Sequence, residues 1–168
     1  MGVTHMYAAL TRWAGSTGVG YDGYDRAHEA IALATAATPT AEDKPPVGPA
    51  ELSLTADPAF NGDPALLNPE QLLLLAASSC QLLSFLAVAA RARIDVVGYE
   101  DSAVAEMPEE PRPARVTRIV LRPRITIRGT LPQGTRLLHL VEVAHRECFI
   151  ANSLTSEIEI QPSFARAQ

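Results

Sequence analysis

The sequence predicts an α+β domain: an antiparallel sheet with a long central helix and a second helix packed on it. Residues 72–90 form an apolar run of 19 without a charge, too long for a strand and long enough for a helix. Residues 116–128 alternate strictly, with Ile119, Leu121, Ile125 and Ile127 on one face and Arg118, Arg122, Arg124 and Arg128 on the other. That is the period of a half-buried strand. Leu137, Val141, Ala144 and Cys148 recur at i, i+4, i+7 and i+11, one stripe of a second helix.

In chain order, residues 4–13 and 27–34 read as two strands around a glycine-rich turn at 15–24. In the second strand Ala30, Ala32 and Ala34 alternate with Ile31 and Leu33, a period-two pattern. Residues 38–49 are rich in proline and polar side chains and read as a surface loop, 52–54 as a short strand, and 57–67 as another loop. The central helix spans 69–93. Asn68 suits its N-cap, Pro69 its first position, and Gln71 completes a capping box. Arg91 and Arg93 suit the carbonyl end. Residues 96–107 read as a strand, and 108–113 as a turn with three prolines. Pro123 lacks an N–H, which places the 116–128 strand at an edge or a bulge. Residues 135–148 form the second helix. Residues 155–164 close the chain as a strand, Ile158 and Ile160 alternating with Glu157 and Glu159. The order is β-β-(β)-α-β-β-α-β, with no internal repeat.

A length of 168 residues fits one domain, 1–168, with a core that needs no disulfide staples. Apolar residues make up 47% and charged residues 20%, which excludes wholesale disorder. A net charge of −5 argues against a nucleic-acid partner, because phosphate contacts need surplus cations. The arginine face of 116–128 has no interleaved aromatics to stack bases and reads as a solvated face that discourages edge pairing. The apolar run has the length of a membrane span. However, Ser78, Ser79, Cys80, Gln81 and Ser84 put a polar knot near its middle, and no second span exists. A helix apolar on all sides suits the centre of a core, buried in part by a second subunit. The first ten residues carry no secretory pattern, so a cytoplasmic protein with reduced thiols is expected.

Two cysteines, Cys80 and Cys148, lie on the apolar sides of the two helices. If both helices cover one sheet face, the thiols can meet. On residue pattern alone three readings stand open: two inert core thiols, a redox pair, or a metal site. The metal reading has His145, Cys148 and Cys80, with His139 out of phase, where structural zinc takes four ligands. A serine hydrolase finds no G-x-S-x-G around Ser78 or Ser79.

NPEQLLLLAASSC, residues 68–80, resembles the NPEQL…AAxxAC segment of the OsmC/Ohr family of thiol-dependent organic hydroperoxide reductases. Glu70 stands ten positions before Cys80, as the family's acidic residue stands before its reactive cysteine. AHRECFIANS, residues 144–153, resembles the second-cysteine segment A-H-x-x-C-P-x-S-N, with Cys148 in place and Phe149 where proline is usual. Tyr24-Asp25-Arg26-Ala27 resembles the arginine-bearing segment between the first two strands. Gln81 stands where an aromatic often follows the first cysteine, and Ser78-Ser79 replaces small apolar residues.

The resemblance implies an OsmC-like fold, an intertwined homodimer, and a peroxidase without a metal or an organic cofactor. Cys80 is then the attacking thiolate and Cys148 the resolving thiol. Arg26 favours the thiolate and Glu70 orients Arg26. The substrate is an alkyl or lipid hydroperoxide, and the reductant an external dithiol of lipoyl type. Arg12, in the same N-terminal hairpin, is the competing arginine. The rival reading is an OsmC-fold dimer without peroxidase activity that binds a small apolar ligand or lipid. Ten helical residues span about 15 Å, so Glu70 and Cys80 require either a bridging arginine or a site shared between subunits.

Overall fold

A computed structural model describes residues 4–25, 29–33 and 54–168. Strand β1 (Thr4–Ala14) lies between β2 (Glu29–Leu33) and β3 (Val96–Pro108), antiparallel to both. The predicted strand at 27–34 is seen as β2, and the predicted loop at 38–49 lies outside the described residues. Of the strand expected at 52–54, residues 52–53 lie outside the described residues, and Leu54 forms a bridge to Leu67.

At 13 residues β3 is long enough for two neighbours on its other side. Its C-terminal half pairs with β4 (Arg118–Leu121) and its N-terminal half with β5 (Pro123–Ile127), both antiparallel. The strand expected over 116–128 keeps one register along β3 on both sides of its interruption at Arg122, beside Pro123, which has no N–H for the ladder. The expected inward face survives the break: Ile119, Leu121, Ile125 and Ile127 are all buried. The arginine face is solvated, with Arg118 bonded to Glu106 and Glu159, and Arg128 to Asp95.

The C-terminal strand is also two, β6 (Glu157–Ile160) and β7 (Ser163–Arg166), divided at Gln161-Pro162. β6 pairs with β4 and β7 with β5, both parallel. Among the described residues the sheet has seven strands, antiparallel except for these two outer pairings.

The central helix α1 (Pro69–Arg91) starts where its capping chemistry predicts. Asn68 Oδ1 accepts from Gln71 N at 2.8 Å, and Gln71 Oε1 accepts from Asn68 N at 3.0 Å. Such a cap is worth about 1 kcal/mol. The helix stops two residues before the expected end. Ile94 N–H bonds the Ala89 carbonyl and Arg93 N–H the Ala90 carbonyl, a Schellman closure with Arg93 at φ 59°. The second helix, α2 (Gly134–Glu147), buries the expected stripe of Leu137, Val141 and Ala144. It ends before Cys148, and a short helix that the pattern did not predict, α3 (Phe149–Ser153), follows at once.

The core has two parts along α1. Near its start Leu74 and Ala77 pack with Tyr7, Ala103, Ala105, Ile119 and Leu121. Beyond its middle Leu82, Phe85, Leu86 and Ala89 pack with Trp13, Tyr99, Ile125, Leu137 and Val141. Half of the helix is buried within the chain. Leu72, Ala76 and Ala87 remain partly exposed, as do Leu73, Leu75 and Leu83 where they pack against the core.

Candidate active site

Cys80 sits mid-way along α1, and Cys148 is the single residue between α2 and α3. Helix α2 packs against α1 through its buried stripe, and the residues after that stripe come to the level of Cys80. The Cys148 thiol lies close enough to Cys80 for that residue to act on its ionisation. The backbone N–H of Ile150 also reaches Cys80 Sγ, at 3.5 Å. Both cysteines are free thiols.

The two thiols differ in environment. Cys148 is buried and Cys80 half-buried. Burial pushes the Cys148 thiol up to about 11, and the neighbouring Cys80 acts in the same direction. The N–H groups of Ala151 and Ile150 work against that shift by favouring the thiolate. Phe149, next to Cys148, is 82% exposed, an apolar side chain at the rim of the thiol pair. Among the described residues no group of three or more histidine, cysteine or carboxylate side chains converges on a metal position.

Of the other predicted site residues that are described, Glu70 is not gathered here. Glu70 lies in the first turn of α1, about 15 Å of helical rise from Cys80. Its charge acts on Tyr7 instead: burial, then Glu70 and Asp57, hold that phenol in its protonated form. Arg26 lies outside the described residues. Arg12 is described, and it lies on the wrong face of the sheet. Thr11 faces α1, where its hydroxyl meets Ser78 Oγ at 2.7 Å, so the next side chain along the strand points away. Arg12 Nε donates to Glu100 Oε2 at 2.9 Å. The two line an outward cleft of about 530 Å³ with Glu29 and Arg124.

Beneath Cys80 lies a buried polar chain that the motifs did not flag. Ser78 Oγ bonds Thr11 Oγ1 at 2.7 Å and donates to Asp101 Oδ2 at 2.6 Å. Asp101 Oδ1 accepts from the backbone N–H of Arg122 at 2.6 Å. Thr11, Ser78 and Asp101 each have no solvent exposure. Burial raises the Asp101 carboxyl to about 6, against the lowering effect of Ser78, the Arg122 N–H and the Arg122 charge. One sequence signal was available: Asp101 shares the inward parity of Tyr99, Ala103 and Ala105 on β3.

Residues 62–163 match the family described as OsmC-like protein. No curated protein matches the chain. Among solved structures, an OsmC-like protein of unknown function from Vibrio cholerae is 27% identical, with a TM-score of 0.61, covering 94% of this chain and 98% of that one. An organic hydroperoxide resistance protein OsmC from Legionella pneumophila is 20% identical, with a TM-score of 0.52, covering 68% of this chain and 80% of that one. An organic hydroperoxide resistance protein from Elizabethkingia anophelis is 19% identical, with a TM-score of 0.51, covering 67% and 78%.

Proposed function

The chain belongs to the OsmC-like family, and on that premise we propose that it is a thiol-dependent peroxidase for organic hydroperoxides. The observation that carries this reading is the meeting of the two cysteines: Cys80 acts on the Cys148 thiol, and Ile150 N–H, two residues after Cys148, reaches Cys80 Sγ at 3.5 Å. Two thiols so placed need little movement to form a disulfide.

In the proposed cycle the Cys80 thiolate attacks the hydroperoxide's terminal oxygen. The O–O bond breaks, the alkoxide takes a proton and leaves as alcohol, and Cys80 becomes a sulfenic acid. The Cys148 sulfur then attacks the Cys80 sulfur. The S–S bond forms, and the displaced hydroxyl leaves as water with the proton of Cys148. An external dithiol, of lipoyl type in this reading, reduces the disulfide and is itself oxidised.

Arg26 is the proposed cation beside Cys80, with Glu70 orienting it. Because Glu70 stays at the other end of half a helix, the arginine bridges that distance or comes from a second subunit. A homodimer supplies the second option and covers the leucine and alanine side chains that α1 leaves partly exposed. The exposed Phe149 beside the pair suits a bulky alkyl or lipid hydroperoxide better than hydrogen peroxide. The chemistry belongs in a reducing compartment, in keeping with a cytoplasmic protein.

A steady-state assay driven by a lipoyl-type dithiol tests the reading. Cumene hydroperoxide is expected to be consumed faster than hydrogen peroxide. Cys80→Ser is expected to abolish turnover. Cys148→Ser is expected to leave one attack per chain and a trapped sulfenic acid, seen by mass spectrometry. Turnover that survives Cys80→Ser would overturn the proposal.

A further inference from the structure

The chain Thr11–Ser78–Asp101 takes no part in the thiol cycle, yet it reaches α1 two residues before Cys80. It also marks the seam between the two halves of the core. On α1 the seam falls between Ala77 and Leu82, on β1 between Ala9 and Trp13, and on β3 between Tyr99 and Ala103. We infer that Asp101 is a positioning residue for the thiol pair: through Ser78 it fixes the rotation of α1, so that Cys80 stays turned toward Cys148. The inference rests on the reading of that pair as redox-active.

Two helical residues differ by about 200°. When Ser78 is bonded down onto the sheet, Cys80 is turned up toward α3. The contacts on either side of the seam are leucine, alanine and aromatic side chains, whose packing has little directional preference. Hydrogen bonds of 2.6 and 2.7 Å to two strands resist rolling, because their energy falls steeply with angle.

The choice of a carboxyl group adds to this. A buried charge costs several kcal/mol, and an apolar side chain of similar volume often leaves a fold as stable or more so. Asp101 instead ties three elements at one point. It meets α1 through Ser78, the end of β4 through the Arg122 N–H, and β1 through Ser78 and Thr11. Other groups around it are few. Cys80 follows on α1, Tyr99 stands two residues away on β3, and Cys148 faces Tyr99 across the helix layer. The Arg122 guanidinium is the nearby cation.

Asn is the near-isosteric neutral replacement, since it keeps an acceptor for Arg122 N–H and a donor for Ser78 Oγ. The test is the rate at which diamide closes the Cys80–Cys148 disulfide, read as loss of free thiol. Wild type, Asp101→Asn and Ser78→Ala are compared across about pH 5 to about pH 8. The shared dependence on thiolate cancels in the ratio of wild type to Asp101→Asn. That ratio is expected to be about fivefold at the upper end, the difference between a charge-assisted and a neutral hydrogen bond, and to fall to about one at the lower end. Ser78→Ala is expected to close about fivefold more slowly than wild type at the upper end. A ratio that does not change with pH, or Asp101→Asn closing as fast as wild type at the upper end, would overturn the inference. Diamide replaces the hydroperoxide, so the outcome is separable from peroxidase activity. A wild type that fails to close its disulfide at all would instead sink the thiol-pair reading itself.

Discussion

Asp101 titrates in the folded chain at about 6, above the ordinary 3.8, so the folded state holds its proton longer than the unfolded one. The stability this group contributes is present in full below about pH 4 and is lost as pH rises through about 6. Asp101→Asn removes that dependence. Its melting temperature is expected to exceed that of wild type near pH 7.5 and to show no such gain near pH 4, in thermal melts followed by circular dichroism. At Cys80 the residue-scale question is the cation. Arg26→Ala is expected to slow iodoacetamide alkylation of Cys80 about tenfold at neutral pH on a Cys148→Ser background, because the thiolate is the reacting form. Arg12→Ala is expected to leave that rate unchanged, as its guanidinium is bonded to Glu100 on the far face. The thiol pair was legible as motifs, and the place of Cys148 followed from its helical stripe. The partners of Asp101 were not legible. Parity places the carboxyl inward, but Ser78, Thr11 and Arg122 come from three other parts of the chain.

Among the elements, α1 was read most closely, because its start depends on neighbours three residues apart. Asn68→Ala is expected to cost about 1 kcal/mol through loss of the cap. Leu82→Ala, at a fully buried position facing the sheet, is expected to cost about 2–5 kcal/mol. Urea denaturation checks both, and the midpoint is expected to move more for the second. The break between α2 and α3 left no such mark. Cys148 leaves the helix at ψ 112° with neither glycine nor proline beside it. The division of residues 116–128 was half legible. Pro123 signals an interruption, but only the 13-residue length of β3 makes room for both halves on one strand. The parallel pairings of β6 and β7 depend on how the chain returns after α2, which no local pattern records.

At the level of the whole molecule, the proposed homodimer would cover the apolar side chains that α1 leaves partly exposed. Light scattering at micromolar concentration is expected to give about twice 18.0 kDa. A stable monomer at that concentration would remove the shared-site route for Arg26 and leave only the bridging one. The interrupted outer strand bears on how the sheet meets other chains. β6 and β7 follow β4 and β5 at one register offset, so together they line one edge, with a break at Gln161-Pro162. An unbroken strand there would offer a continuous row of free amides and carbonyls to any extended peptide. Pro162 has no N–H to give, and Glu157 and Glu159 put charge on the same edge. Both features discourage a foreign strand from pairing along that side.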